Sequence, residues 1–247
     1  MYKSTAAWIL LILTLMISCK NRVSETAVIN GNFTDATALK LILQEMDTRE
    51  IHTVDSIILD KSGKFTFQPD VKEPGFWLLK SRTGKILVMI IHPGDKIELS
   101  GNAEDFPDHI TLKGPEESMM LNDFFFRTRL NELKVDSLEM LLVERQDSSD
   151  YFQLTQKLDT SFRQIWESQR TLEKAFIDGH PASLASLVVL NYAFGMSPVL
   201  SPEEDFNYYH TLDSALSIKY PHNKHVKHHH ERVIEAELQM KSKKLRD

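Results

Sequence analysis

Apolar and polar positions alternate in short runs over residues 27–113, and after Gly114 the apolar positions recur every three to four residues. A period of two places successive side chains on opposite faces of a strand, whereas the longer period draws one stripe along a helix. The pattern therefore predicts an α+β fold. A small antiparallel β-sandwich covers residues 27–113, and an antiparallel helical segment of four or five helices covers residues 114–247.

Within the first part the runs fall at residues 28–33, 39–43, 51–59, 65–67, 76–80, 86–91, 96–99 and 109–113. Phe65 and Phe67 alternate with Lys64, Thr66 and Gln68, so both rings face one core. Gly63 supplies the positive φ of a hairpin loop before them, and Pro93-Gly94 suits the centre of a type II turn. Residues 86–91 are apolar on both faces, which predicts a central strand covered by the other sheet and by helices.

In the second part Pro115 suits the first turn of a helix, with Glu116 and Glu117 complementing its positive end. Ser149 can cap the next helix, whose stripe runs through Tyr151, Leu154, Leu158, Phe162, Ile165, Leu172 and Phe176 with Gln169 as a polar break. Gly179 and Pro181 stop it. A short buried helix over residues 181–194 follows. Ser201 and Glu204 form a capping box with Pro202 at the first helical position, and Phe206, Tyr209, Leu212 and Leu216 stripe that helix. The last helix, residues 224–243, turns Val226, Val233, Ala236 and Met240 inward.

The start of the chain adds a location. Residues 6–17 are apolar apart from Thr14, and Lys3 precedes them. Twelve helical residues rise about 18 Å, too short for a hydrocarbon core of about 30 Å, so residues 1–18 read as a cleaved signal peptide. Leu15-Met16-Ile17-Ser18-Cys19 resembles a bacterial lipobox, with Met16 where Leu is commonest. Cys19 is then the lipidated residue and residues 19–26 its tether. Lys20 in place of Asp points, by the same resemblance, to the outer membrane. With no acidic run after Cys19, the body is expected to face the periplasm.

Composition narrows the chemistry. The net charge is -6, and near -7 once Lys3 leaves with the leader, a poor balance for nucleic-acid binding. A hydrophobic fraction of 42% supplies a packed core. Cys19 is the single cysteine, so no disulfide forms within the chain. No phosphate loop, zinc cysteine cluster or nucleophile elbow is present.

Several segments together resemble a family. They are Ile29-Asn30-Gly31-Asn32-Phe33, Val54-Asp55-Ser56, Gly63-Lys64-Phe65-Thr66-Phe67, Pro93-Gly94-Asp95 with Ile97-Glu98-Leu99-Ser100-Gly101, His180-Pro181-Ala182-Ser183-Leu184, and Tyr220-Pro221 with His225-Val226. In this order, after a lipobox, they are similar to the amino-terminal domain of unknown function of thioredoxin-like envelope lipoproteins. The resemblance implies a sandwich and helical segment that precede a redoxin domain with Cys-x-x-Cys. Here no Cys-x-x-Cys follows, so the family's catalytic residues have no positions to be carried to.

The expected role is therefore non-enzymatic, without cofactor: a docking or spacer scaffold whose possible partner is a thioredoxin-like protein. One alternative is the front part of a thiol–disulfide oxidoreductase whose redoxin domain is missing or separately encoded. Another is an envelope module that binds a glycan, lipid or metal. No catalytic or metal residue is assigned. His222, His225 and His229 are the metal candidates, three and four apart and on one face if the last helix begins near Pro221, with Glu231 or Glu235 as added carboxylates. The plainer reading is a solvated histidine-bearing face. Asp95 is expected to accept backbone hydrogen bonds in its turn, Asp178 to be on the surface, and Ser56, Ser118 and Ser183 to lack an activating histidine. Trp77, Phe124, Phe125 and Trp166 are expected in the core, and one ring of Phe124-Phe125-Phe126 outside it.

Overall fold

The structure is a computed structural model that describes residues 26–245. The leader and Cys19 lie outside the described residues. Eight strands come first: β1 (Val28–Thr34), β2 (Lys40–Met46), β3 (Ile51–Ile58), β4 (Lys64–Phe67), β5 (Gly75–Ser81), β6 (Ile86–Ile91), β7 (Lys96–Asn102) and β8 (Thr111–Lys113). Helices α1 (Glu116–Glu144), α2 (Tyr151–Gly179) and α3 (Leu184–Leu190) follow. A two-residue pair, β9 (Ala193–Phe194) and β10 (Ser197–Pro198), precedes α4 (Pro202–Lys219) and α5 (Lys224–Lys244). The fold is α+β, as the two periods predict.

The strands form two four-stranded sheets, ordered β4-β1-β7-β8 and β3-β2-β5-β6. Ile29 and Phe33 of β1, Phe65 and Phe67 of β4, and Ile97 and Leu99 of β7 point into one core with Leu41, Leu43, Trp77, Leu79, Leu87 and Met89 from the second sheet. Each such fully buried apolar side chain contributes about 1.5–3 kcal/mol. Gly31 is required by close approach: a Cβ there would lie 2.0 Å from the Phe65 ring. Gly94, at φ 81°, follows Pro93 in the expected turn, with Asp95 N–H donating to the His92 carbonyl.

One pairing departs from the antiparallel expectation. β1 and β7 run parallel, in register from Val28 against Lys96 to Thr34 against Asn102. The chain crosses to the second sheet between them, so their relative direction is set by the crossings and not by a hairpin. Alternation reports which face a side chain occupies but not which way its neighbour runs.

β6 also departs from expectation. It is covered on both faces, Leu87, Met89 and Ile91 toward the sandwich core and Ile90 toward the helices. Yet it is an edge strand, not a central one. Its open edge is closed by α1: Ser118 Oγ donates to the Ile90 carbonyl (2.6 Å) and accepts from the Ile90 N–H (2.9 Å). A side chain thus does the work of a neighbouring strand, satisfying two buried backbone groups.

The helices share a second core with this outer sheet face, formed by Phe76 and Ile90 with Leu121, Phe124, Ile177, Leu187, Leu212 and Val226. Two helix boundaries differ from the sequence reading. Asp150, not Ser149, sits at the N-cap of α2, without a side-chain cap bond. α3 is shorter than residues 181–194, because Ser183 caps it and Ala193–Phe194 is β9. α5 begins at Lys224, where the sequence reading starts it, and is capped by Asn223. Ser201 and Pro202 start α4 as expected, with Ser201 accepting from the Glu204 N–H.

Candidate functional site

Three polar centres lie where layers meet. The first is built on Glu117, in the first turn of α1. Its carboxylate accepts from His92 Nε2 (2.7 Å), Ser183 Oγ (2.7 Å) and the Leu184 amide (2.8 Å). Burial pushes its pKa up, but these hydrogen bonds outweigh it and hold the group below the usual carboxylate range. Glu117 stands in the first turn of its own helix, as expected, and its hydrogen bonds also serve the N-terminus of α3. The cluster contains a serine, a histidine and a glutamate, but the carboxylate is its centre. The histidine bonds the acid and not the hydroxyl, so the arrangement does not activate Ser183 as a nucleophile.

The second centre lies between α1 and α2. Gln169, fully buried, donates through Nε2 to Thr128 Oγ1 (3.1 Å) and Glu173 Oε1 (3.1 Å), and its Oε1 accepts from Asn131 (3.1 Å). Glu173 is also fully buried, and its Oε2 has no hydrogen-bond partner. Burial pushes its pKa up to about 8. Beside it, buried Asp205 receives Arg170 (2.6 Å) and Lys174 (2.9 Å) and so is compensated.

The third centre is a groove of about 420 Å³ between the second sheet and helices α3 and α5. The first turn of α5 is fastened there. Asn223 Oδ1 accepts from the His225 and Val226 amides while its Nδ2 donates to the Pro74 carbonyl (2.6 Å). Lys224 reaches Glu45 (2.8 Å) and Asp47 (3.2 Å) at the end of β2. His225 is buried with its ring 4.5 Å from that of Phe76, and its Nε2 has no partner. Burial lowers its pKa to about 4, with the Lys224 charge assisting, so the ring is neutral near pH 7. His229 is buried and donates from Nε2 to the Tyr209 carbonyl (3.0 Å); burial lowers its pKa also.

The three histidine candidates do not meet on one helix face. His222 is exposed in the turn before α5, because the helix starts at Lys224 instead of near Pro221. His229 has spent its Nε2 on a backbone oxygen. Among the described residues no group of three or more His, Cys, Asp or Glu is placed to hold a metal ion. The solvated-face reading is corrected too, since His225 and His229 are both buried.

Other residues fall as their chemistry suggests. Asp95 Oδ2 accepts from the His92 N–H (2.7 Å) within its turn. Asp55 and Ser56 lie on exposed β3, and Asp178 is exposed. Trp77 and Phe124 are buried and Phe126 is the exposed ring, at 48%, but Phe125 and Trp166, expected in the core, are only half-buried. A larger concavity of about 610 Å³ lies over the first sheet. It is an open basin on which Thr66 Oγ1 bonds Asn30 (2.8 Å), with no buried titrating group.

Sequence reasoning overlooked His92, the joint made by Glu117, Glu173 and Arg232. The Glu117 partners lie 25 and 66 residues away, beyond any local pattern. Glu173 was accessible to it: four residues after Gln169, it lies on the same inward stripe.

Residues 27–120 match the family described as a domain of unknown function (DUF4369). The match spans the whole sandwich and the first turn of α1. No curated protein matches this chain. Among the described residues no helix is long and apolar enough to cross a membrane.

Proposed function

We propose that this protein is a lipid-anchored, non-catalytic module of the bacterial cell envelope, held in the outer membrane through acylated Cys19 and facing the periplasm. Its role is that of a docking or spacer scaffold for a thioredoxin-like protein. The observation that carries this reading is the way its reactive side chains are used. Ser118, Ser183, His92 and Glu117 all join sheet to helix or helix to helix, and none of the three centres pairs a hydroxyl with an imidazole. The match to a domain of unknown function over residues 27–120 supports the sandwich part of the resemblance from which this reading starts. The leader and the lipobox-like segment supply the anchor, and the lone cysteine leaves no dithiol in the chain.

Two measurements test it. Cells fed an alkyne-tagged fatty acid should label the wild-type chain in the membrane fraction, and Cys19→Ala should abolish both label and membrane retention. Unlabelled wild type, or a Cys19→Ala chain that stays in the membrane, would remove the anchor. Crosslinked capture from envelope membranes should recover a protein bearing Cys-x-x-Cys; recovery of porins alone would remove the docking role.

A further inference from the structure

The groove between the second sheet and α5 has a chemical asymmetry that the scaffold role does not use. Its floor is apolar: Met46, Phe76, Val88 and Leu187. Its mouth carries Arg232 and His228, one helical turn apart on α5. Arg232 Nη1 donates to the neutral Asn191 Oδ1 (2.9 Å), and among the described residues no carboxylate forms an ion pair with its guanidinium. The acidic group at the mouth, Asp47, is already engaged by the Thr48 amide (2.6 Å) and by Lys224 (3.2 Å). His228 stands 3.9 Å from Glu231, which is mostly in solvent. The wall behind them is the neutral His225 ring.

An apolar floor under an uncompensated guanidinium fits one ligand class. We propose that this groove binds a small amphipathic carboxylate, its acyl tail lying over Phe76 and Val88 and its head on Arg232. A guanidinium offers two parallel N–H donors that match a carboxylate, and the volume is in the range of small-molecule sites. A neutral or cationic head would leave the Arg232 charge unanswered. The site is independent of acylation at Cys19, so it stands or falls apart from the anchor.

The test uses the full chain carrying Cys19→Ser, titrated below the micellar concentration with decanoate and separately with decyltrimethylammonium. Methyl NMR signals of Met46 and Val88 are followed. Decanoate should shift both signals saturably, and the cationic amphiphile should bind at least about tenfold more weakly. Arg232→Gln, at an exposed position, should weaken decanoate by about tenfold while leaving the spectrum of the sandwich intact. Val88→Trp should block the tail without removing the head contact. Equal affinity for the two head groups, decanoate binding unchanged by Arg232→Gln, or shifts absent from Met46 and Val88 would each overturn the assignment. Binding to phosphatidylglycerol vesicles without binding to decanoate would overturn it as well, because the groove would then not be the lipid contact.

Discussion

Glu173 is the most consequential single side chain. A buried carboxyl whose pKa is raised to about 8 stays protonated in the folded protein while the unfolded chain ionises it from about 4.5. Its stabilising effect is complete below pH 4.5 and is lost as pH rises toward 8. Across that window the wild type should lose stability relative to Glu173→Gln by about 1.4 kcal/mol per pH unit, checked by urea unfolding at several pH values. A difference that does not vary with pH would show that Glu173 is ionised when folded. His225 acts with the opposite sign. With its pKa lowered to about 4, the stability it lends is complete above pH 6.5 and is lost on acidification toward 4. His225→Leu should therefore remove part of the acid sensitivity in that range.

Two further residue-level effects follow from geometry. Ser118→Ala leaves the Ile90 N–H and carbonyl of an edge strand buried and unmatched, and should cost about 1–3 kcal/mol in denaturant unfolding. Gly63 sits at φ 65° with the Phe33 carbonyl oxygen 1.7 Å from where a Cβ would be. Gly63→Ala should cost at least about 1–3 kcal/mol in the same assay. The positive φ of Gly63 is legible in the Asp60-Lys61-Ser62-Gly63 loop. The role of Ser118 is not, because its partner is a backbone group 28 residues away.

At the scale of elements, α1 and α2 each have 29 residues and are about 43 Å long. α1 buries side chains from Glu117 to Val135 and none after it. α2 buries none before Leu158. The intervening hairpin, with Met140 at 63%, Val143 at 68% and Phe152 at 73% exposure, is held by partly buried contacts and by Arg145 to Asp150 (3.0 Å). Its amides should exchange hydrogen with solvent faster than those of β5 and β6, a difference readable by mass spectrometry. Equal protection would mean that the hairpin unfolds only with the core. The stripe of α2 was visible in the sequence, whereas the weaker periodicity of α1 has a structural cause. Leu121, Phe124, Thr128 and Val135 face inward, while Met119, Phe126, Leu130 and Leu133 lie exposed. Apolar side chains on opposite sides of a helix cancel in any one-faced pattern.

At the scale of the whole molecule, the outer sheet face is what turns two sequence halves into one body. Phe76 and Ile90 belong to the helical core while Trp77 and Met89, their neighbours in sequence, belong to the sandwich core. Glu117 fastens the same junction through His92 and Ser183. Glu117→Ala should therefore destabilise the sheet and helices together, by about 2–4 kcal/mol in a single unfolding transition. Separate transitions by near-UV signals and by helix content would contradict that coupling. The groove that gathers Arg232, His228 and the apolar floor exists only because of the same packing.

What the order of residues determined by itself was most of the elements, the buried faces of most of them and the turns that need glycine. These depend on period, on local backbone sterics and on composition, all of which act between near neighbours. The parallel seating of β1 against β7, the edge position of β6, the polar joint at Glu117 and the mouth of the groove were decided only by tertiary structure. Each requires groups from distant parts of the chain to satisfy one another's hydrogen bonds or charge, and a one-dimensional pattern carries no record of which ones meet.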